Sequence, residues 1–136
     1  MKLNRRELLL GLSLISGTLA WKRPVRAFSQ QPDPVRRGDN LIAVSPGTWV
    51  DRDTLSGERG WKSLYSSWGL ELIIPSVALS QWAYFSGTDS DRAAAVRQAW
   101  NDPAAAGVVC ISGGWGAARC LEAGFLPTSQ PRWCVG

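Results

Sequence analysis

The sequence predicts a three-layer α/β fold built on a mainly parallel sheet. Short, continuous apolar runs alternate with stretches of helical periodicity, and glycine or proline marks most of the junctions between them. Uninterrupted apolar runs are typical of strands that are buried on both faces. Their alternation with helices indicates right-handed crossovers that place helices on both sides of one sheet.

The first strand is predicted at residues 40–46, where Asn-Leu-Ile-Ala-Val-Ser-Pro closes on a glycine. A helix should follow over residues 51–68, because large apolar side chains recur there at helical intervals. These side chains are Leu55, Trp61, Leu64, Tyr65 and Trp68. We expect both tryptophans to lie in the core, although Gly57 and Gly60 weaken the first turns of the helix.

Gly69 should end this helix, and residues 70–75 predict a second buried strand. Residues 76–87 mix apolar and small side chains without a clear period, which predicts a loop. Within that loop we expect Trp82, Tyr84 and Phe85 to pack back onto the domain. The alternative is that these aromatic side chains line a substrate groove.

The clearest helix begins after Thr88, which can cap it, while Asp89 and Asp91 suit the positive end of the helix dipole. It should end at Asn101-Asp102-Pro103, since the residue before a proline resists helical angles. The pattern continues with a strand over residues 107–112, a glycine turn, a helix over 117–123 and a strand over 131–136. Because the sequence stops on that strand, we expect a domain truncated after its fourth strand.

Composition indicates a folded protein and argues against several classes of function. Hydrophobic residues make up 45% of the chain and charged residues 19%, which is a globular profile. The net charge of +4 comes largely from the N-terminal segment, and no basic stripe interleaved with aromatics follows it, so nucleic acid is not an expected partner. The loop after the first strand carries neither G-x-G-x-x-G nor G-K-[ST], which argues against a nucleotide cofactor.

The chain contains no histidine. A Ser/His/acid or Cys/His mechanism therefore cannot be completed within it, and histidine metal sites are excluded, so we expect no metal and no cofactor. Three cysteines, Cys110, Cys120 and Cys134, include no C-x-x-C pair, and an odd number cannot all pair within the chain. We expect them to be small buried residues, since a cysteine nucleophile would have no histidine to activate it.

The first 27 residues are typical of a cleaved export signal, with a basic start, an apolar run and a small-residue exit. Arg5 and Arg6 favour a twin-arginine signal over an ordinary secretory one. The apolar run is shorter than the ~20 residues of a spanning helix, so we expect a periplasmic protein without a stable membrane anchor. Residues 28–38 are polar and rich in proline, as in a linker, and residues 39–136 form the predicted domain.

Candidate functional loops follow the first and third strands, because ligands of open parallel sheets bind at the carboxyl ends of the strands. Gly113 and Gly114 would let backbone amides approach a ligand and would open a helix N-terminus toward negative charge. An oxyanion donor and a phosphate cradle both need such amides, and a plain tight turn is the alternative. The candidate groove residues are Ser45, Pro46, Ser112 and Trp115.

Four segments in the same order resemble the LD-carboxypeptidases, a family of serine peptidases that includes the microcin-immunity peptidases. They are Leu41–Gly47, Trp68–Leu72, Phe85–Arg92, which is similar to aromatic-x-G-[TS]-D-x-x-R, and Ser112–Arg119, which is similar to R-G-G-[YW]-G-x-x-R. The similarity covers about residues 37–136 and only the N-terminal domain of the family. It implies a flavodoxin-like or Rossmann-like domain.

The resemblance also implies a Ser-Glu-His triad that releases a terminal D-amino acid from an L-D peptide bond in peptidoglycan peptides. The family's nucleophile follows the fourth strand in G-[FYH]-S-D, so the serine is expected just after Gly136, and the glutamate and histidine in a second domain. Gly114 aligns with the glycine that supplies one oxyanion amide. Ser112 stands where the family commonly has arginine, and without a base it is not expected to be a nucleophile. No catalytic residue is expected within this chain.

Two functions are therefore compared. The first is the N-terminal fragment of an exported LD-carboxypeptidase, inactive by itself, whose partner in the full-length protein is a peptidoglycan-derived peptide. The second is a noncatalytic module that binds a peptidoglycan fragment or a sugar through the glycine loop and the aromatics. The sequence leaves open whether the chain forms a homodimer.

Overall fold

The computed structural model describes residues 31–124 and 130–136, so the predicted export signal lies outside the described residues. The strands are β1 Asn40–Val44, β2 Glu71–Ile73, β3 Ala105–Cys110 and β4 Trp133–Val135. The helices are α1 Arg52–Ser56, α2 Trp61–Ser67, α3 Asp89–Asn101 and α4 Trp115–Glu122, and a 3-10 turn spans Ser76–Leu79. In the described part of the chain no helix is long and apolar enough to cross a membrane.

The four strands form one parallel sheet in the order β2-β1-β3-β4. Alternate side chains of β1 project to opposite faces, as the strand period requires. Leu41 and Ala43 join a core with Leu55 of α1 and Tyr65 of α2. Ile42 and Val44 join a second core that includes Val96 and Ala99 of α3. Helices thus cover both faces of the sheet, which confirms the three-layer α/β prediction.

The edge strands are more exposed than the sequence predicts. In β2 only Leu72 is buried, because this strand has a neighbour on one side alone and its other face is not covered. All residues of β4 at the opposite edge are exposed. The prediction of a second strand buried on both faces was therefore wrong, whereas β1 and the central part of β3 are buried.

The single helix predicted over residues 51–68 is instead two short helices. The backbone turns after α1, where Gly57 N donates to Asp53 O at 2.8 Å and Gly60 N donates to Gly57 O at 2.9 Å. A Cβ at Gly57 would lie 2.4 Å from Asp53 O, so the tight turn requires a residue without a side chain. Between α1 and α2 the glycines break the helix, an effect stronger than the weakening expected from helix propensity.

The tryptophans of this region differ from the core positions predicted for them. Trp61 is partly buried against the first core. Trp68 is 52% exposed and touches the edge of the Tyr65 ring, so its prediction as a core residue was wrong. Gly69, with φ of +78°, ends α2 as expected.

Helix α3 forms as predicted, with a capping box at its start. Thr88 Oγ accepts a hydrogen bond from Asp91 N, and the Asp91 carboxylate accepts one from Thr88 N, both at 3.2 Å. The segment predicted as a loop over residues 76–87 contains the 3-10 turn, and its end is pinned by a β-bridge between Thr48 and Phe85. This bridge holds the loop beside the carboxyl end of β1.

Candidate functional site

The carboxyl ends of β1 and β3 lie side by side in the sheet. Strand β2 lies on one side of β1 and β3 on the other, so the strand order reverses between β1 and β3. Crevices of α/β sheets form at this switch point. Ser45 and Ser112 follow the two strands, and their hydroxyl oxygens lie 2.7 Å apart. Ser45 Oγ also donates to Thr48 O at 2.8 Å, which uses its one hydrogen, so Ser112 must donate to Ser45. The proton of Ser112 is committed, and among the described residues no base is hydrogen-bonded to either hydroxyl.

The loop after β1 is buried and held through its carbonyl oxygens. Ser45 O accepts a hydrogen bond from Ser86 Oγ, and Gly47 O accepts one from Ser86 N at 3.3 Å. Pro46 O accepts one from Arg92 Nη1. Each backbone carbonyl of this turn is therefore satisfied, as buried carbonyls require.

Arg92 is the most deeply buried charged side chain of the region, with 2% of its surface exposed. Its Nη1 joins Pro46 O to Gly116 O, the latter at 3.0 Å. Its Nη2 pairs with Asp89 on the preceding turn of α3. The guanidinium carbon lies 4.5 Å from the centre of the Phe85 ring, within cation–π range. One guanidinium thus ties the loop after β1 to the first turn of α4.

Asp89 extends this network to the surface. Its second carboxylate oxygen pairs with Arg119 Nη2 of α4 at 2.6 Å. Arg119 lies 5.6 Å from the Phe85 ring centre and 5.9 Å from that of Trp115. One carboxylate is therefore shared between two guanidinium groups, and its pairing with Arg92 limits the cost of burying that charge.

The loop after β3 differs, because its backbone faces open space. Gly114 precedes α4 with φ of +94°, a conformation that favours glycine. No atom lies within 4 Å of a Cβ built on Gly113 or on Gly114. The N-terminal amides of α4 therefore begin at an accessible edge, where the helix dipole favours negative charge.

The two loops approach each other closely at Gly47. A Cβ at that position would lie 2.0 Å from Gly113 O, inside the contact distance. Glycine is thus required for the loop after β1 to pass beneath the loop after β3. This contact sets the position of the carbonyl before Gly114, and with it the direction of the following amide.

Aromatic side chains line the outer side of the same edge. Phe85 is buried, and its ring meets that of Trp115 edge-on at 5.2 Å and that of Tyr84 at 5.8 Å. Trp115 is 67% exposed and Tyr84 is 61% exposed. The expectation that the loop aromatics pack back was right for Phe85 and wrong for Tyr84 and Trp82, which is also exposed.

The structure brings together the residues that the sequence nominated. Ser45 and Ser112 touch directly, Pro46 is bound by Arg92, and Gly113 lies over Gly47. Their roles toward a substrate stay predictions. Sequence reasoning did not assign a role to Arg92 or Arg119, although Arg92 ends the segment Phe85–Arg92 that carries the family resemblance.

The cysteines are less uniform than predicted. Cys120 is buried below Pro46, and burial raises the pKa of its thiol. Cys110 is half-buried and Cys134 is exposed, so the expectation of a small buried residue was wrong for Cys134. Among the described residues, no group of three or more acidic, cysteine or histidine side chains is placed to hold a metal ion.

Comparison with known proteins assigns the chain to a family. The sequence profile of the LD-carboxypeptidase N-terminal domain matches residues 40–136. The chain belongs to the LD-carboxypeptidase family. It carries the N-terminal domain of that family, and the recognised segments all lie within the matched range. The family belongs to the serine peptidases, and its reaction class is that of a carboxypeptidase.

Two curated relatives extend the match. A carboxypeptidase-like protein of Synechocystis sp. is 37% identical over 107 residues, which cover 78% of this chain and 35% of that protein. One of Streptomyces coelicolor is 30% identical over 95 residues, which cover 68% of this chain and 30% of that protein. The chain spans about a third of the length of these relatives.

Solved structures show the same fold. The microcin self-immunity protein MccF without ligand superposes with a TM-score of 0.61 at 18% identity, over 79% of this chain and 32% of that one. MccF in complex with glutamyl sulfamoyl guanosine gives 0.56 at 19% identity, over 68% and 28%. The all-parallel sheet of this LD-carboxypeptidase domain therefore matches the MccF fold.

Proposed function

We propose that this chain is the N-terminal domain of an exported LD-carboxypeptidase that releases a terminal D-amino acid from peptidoglycan-derived peptides, and that it is inactive by itself. The observation that carries the proposal is the pairing of loops at the switch point, one buried and one in which Gly113 and Gly114 are exposed. Membership of the LD-carboxypeptidase family supports the reaction class.

The loop after β3 suits the stabilisation of an oxyanion. A tetrahedral intermediate of peptide hydrolysis carries negative charge on oxygen, and exposed amides at a helix N-terminus are suitable donors. Gly114 provides the φ of +94° that turns the chain into α4. Ser112, in contrast, has its proton committed to Ser45 and has no base, so it does not act as the nucleophile.

The nucleophile lies just after Gly136 in this proposal. β4 runs parallel to β3 and pairs Val109 with Val135, so the residue after Gly136 would leave the sheet at the same edge as the loop after β3. That edge also holds Gly114. A serine there would therefore lie on the side of the sheet from which the open amides are reached.

The first experiment reads the coding frame past Gly136 and assays the longer product for D-alanine release from a muropeptide tetrapeptide. A frame that continues with Phe-Ser-Asp and a later histidine, and a product that releases D-alanine, support the proposal. In the longer product Gly114→Ala should lower kcat by about 10²–10³, because a misdirected amide loses the oxyanion. Gly113→Ala is the matched control and should change kcat little, since its Cβ would meet open space.

The outcome that rejects the proposal is an unrelated downstream frame, or a longer folded product that releases no D-amino acid. Equal activity of the Gly113→Ala and Gly114→Ala variants would remove the role given to the loop. The 136-residue chain alone should release none, since it has no histidine.

Export is tested separately with residues 1–30 fused to a reporter. If the signal is of the twin-arginine type, the reporter should reach the periplasm. Combining Arg5→Lys with Arg6→Lys should then abolish this export. Unchanged export of the double variant would assign the segment to ordinary secretion.

A second candidate function is favoured by the exposed aromatics at the same edge. Trp115 is 67% exposed and Tyr84 is 61% exposed, and exposed aromatic side chains of this kind can pack against a sugar. Calorimetry of the 136-residue chain with muropeptides separates the two functions. Micromolar binding that Trp115→Ala abolishes would support the binding module, whereas the peptidase fragment should bind too weakly to measure.

A further inference from the structure

A pair of thiols lies on adjacent strands, outside the network already described. Cys110 Sγ of β3 and Cys134 Sγ of β4 are 3.8 Å apart and within hydrogen-bond distance for sulfur. Both are free thiols. Because Val108 pairs with Cys134, the side chains of Val108, Cys110 and Cys134 project from one face of the sheet.

The position across from Cys110 has no side chain. A Cβ built on Gly136 would lie 2.9 Å from Cys110 Cβ, so any larger residue there would occupy the space beside Cys110. With glycine in this place, the two sulfur atoms can meet diagonally across the strand pair. Closing the pair from 3.8 Å to a bond length of about 2.05 Å requires a movement of β4, the exposed edge strand.

We propose that Cys110 and Cys134 form a reversible dithiol–disulfide site whose oxidant is a small-molecule disulfide. The Cys134 thiolate attacks one sulfur of the oxidant, forms a mixed disulfide and expels one thiolate. The Cys110 thiol then loses its proton to solvent and displaces the second thiolate. The product is one Cys110–Cys134 bond, and the oxidant leaves as two thiols that carry the two electrons.

The two thiols are suited to different steps. Cys134 is exposed, and the hydrogen bond with Cys110 lowers the pKa of Cys134 to about 6. The same hydrogen bond, together with burial, raises the pKa of Cys110. Cys134 is thus the attacking thiol and Cys110 the resolving one. Cys120 is buried on the inner side of α4, and burial raises the pKa of its thiol. Cys120 therefore takes no part in the disulfide exchange.

The location gives the bond a consequence that rests on the proposed function. Cys134 lies close to Gly136, after which the nucleophile is proposed. A bond to β3 would fasten the end of β4, and reduction would release it. The oxidation state of the pair would then set the rigidity of the strand that presents the nucleophile.

The experiment incubates the full 136-residue chain in oxidised and reduced glutathione, traps free thiols with acid and an alkylating reagent, and maps the products by mass spectrometry. We expect one intramolecular disulfide, found as a cross-linked Cys110–Cys134 peptide, with Cys120 alkylated. Cys120→Ser is the matched control and should give the same disulfide. At neutral pH iodoacetamide should modify Cys134 at least about tenfold faster than Cys120.

Single variants separate the two steps. Cys110→Ser should accumulate a glutathione adduct on Cys134, because the resolving thiol is missing, and Cys134→Ser should react slowly. Adduct accumulation in the wild-type chain, a disulfide that includes Cys120, or equal alkylation of all three cysteines would overturn the proposal. In urea the preference for one pair should vanish, and its persistence would show that the fold does not create it. This experiment measures the state of the thiols and not D-alanine release, so failure here leaves the proposed function standing.

Discussion

The loops after β1 and after β3 lie side by side, yet the protein holds them in opposite ways. Ser45, Pro46 and Gly47 are buried, and each of their carbonyls accepts a hydrogen bond from Ser86 or Arg92. Gly113 and Gly114 are exposed, and space around them is open. The difference shows that one loop is a rigid support, while the other presents backbone amides to whatever enters the edge of the sheet.

The largest expected effect comes from breaking the support at Arg92. Arg92→Ala removes the guanidinium donor from the carbonyls of Pro46 and Gly116, and it removes one of the two ion-pair partners of Asp89. We expect a loss of about 3–5 kcal/mol in the free energy of unfolding. Denaturant midpoints at constant m-value measure it.

Arg97→Ala is the matched control, because Arg97 lies on the same helix and makes an exposed hydrogen bond to Gly124 O at 3.1 Å. Its cost should stay within about 0.5 kcal/mol. Equal costs for the two variants would show that the guanidinium of Arg92 does not support the loop.

The contact between the loops gives the next effect. Gly47→Ala would force a methyl group against Gly113 O, and the backbone must shift to accept it. We expect a destabilisation of about 2 kcal/mol, the range for overpacking. Gly113→Ala adds the same methyl group on the other side of the contact, where nothing lies within 4 Å. A stability change near zero is expected there, and similar losses from both variants would contradict the asymmetry.

The supporting loop was harder to predict from sequence than the open one. Glycines after an apolar run indicate an accessible turn by composition alone, and Gly113 and Gly114 were found that way. The support depends on Arg92 and Ser86, which lie far from Pro46 in sequence and meet it only through the fold. A charged residue in a helix is usually exposed, so its burial has no local signal.

The same limit explains the errors in the fold. Periodicity located β1 and α3 because neighbouring residues determine them, with Thr88 and Asp91 forming the cap locally. It failed for Trp68 and for β2, whose exposure depends on which strand lies at the sheet edge. Strand order depends on the whole chain, so it cannot be predicted from a single apolar run.

A smaller effect is expected from the serine pair that joins the two loops. Ser112→Ala removes the donor to Ser45 Oγ, and Ser45→Ala removes both that acceptor and the donor to Thr48 O. Each should cost about 1 kcal/mol, with Ser45→Ala the larger because two hydrogen bonds are lost. In a double-mutant cycle the coupling energy should be about 0.5–1 kcal/mol. A coupling of zero would mean that the loops are joined through Gly47 alone.

The smallest effect is expected at the exposed end of the aromatic contact. Phe85 belongs to the supporting side, since it pairs with Thr48 and lies under Arg92, whereas Trp115 opens α4 and is 67% exposed. Trp115→Ala should change the free energy of unfolding by less than about 1 kcal/mol, the energy of one aromatic pair. Phe85→Ala should cost about 3 kcal/mol, because it empties a buried site. Thermal unfolding of both variants measures the difference. A loss from Trp115→Ala as large as that from Phe85→Ala would show that the loop after β3 also stabilises the fold. The proposal that its amides are kept accessible for a ligand would then be wrong.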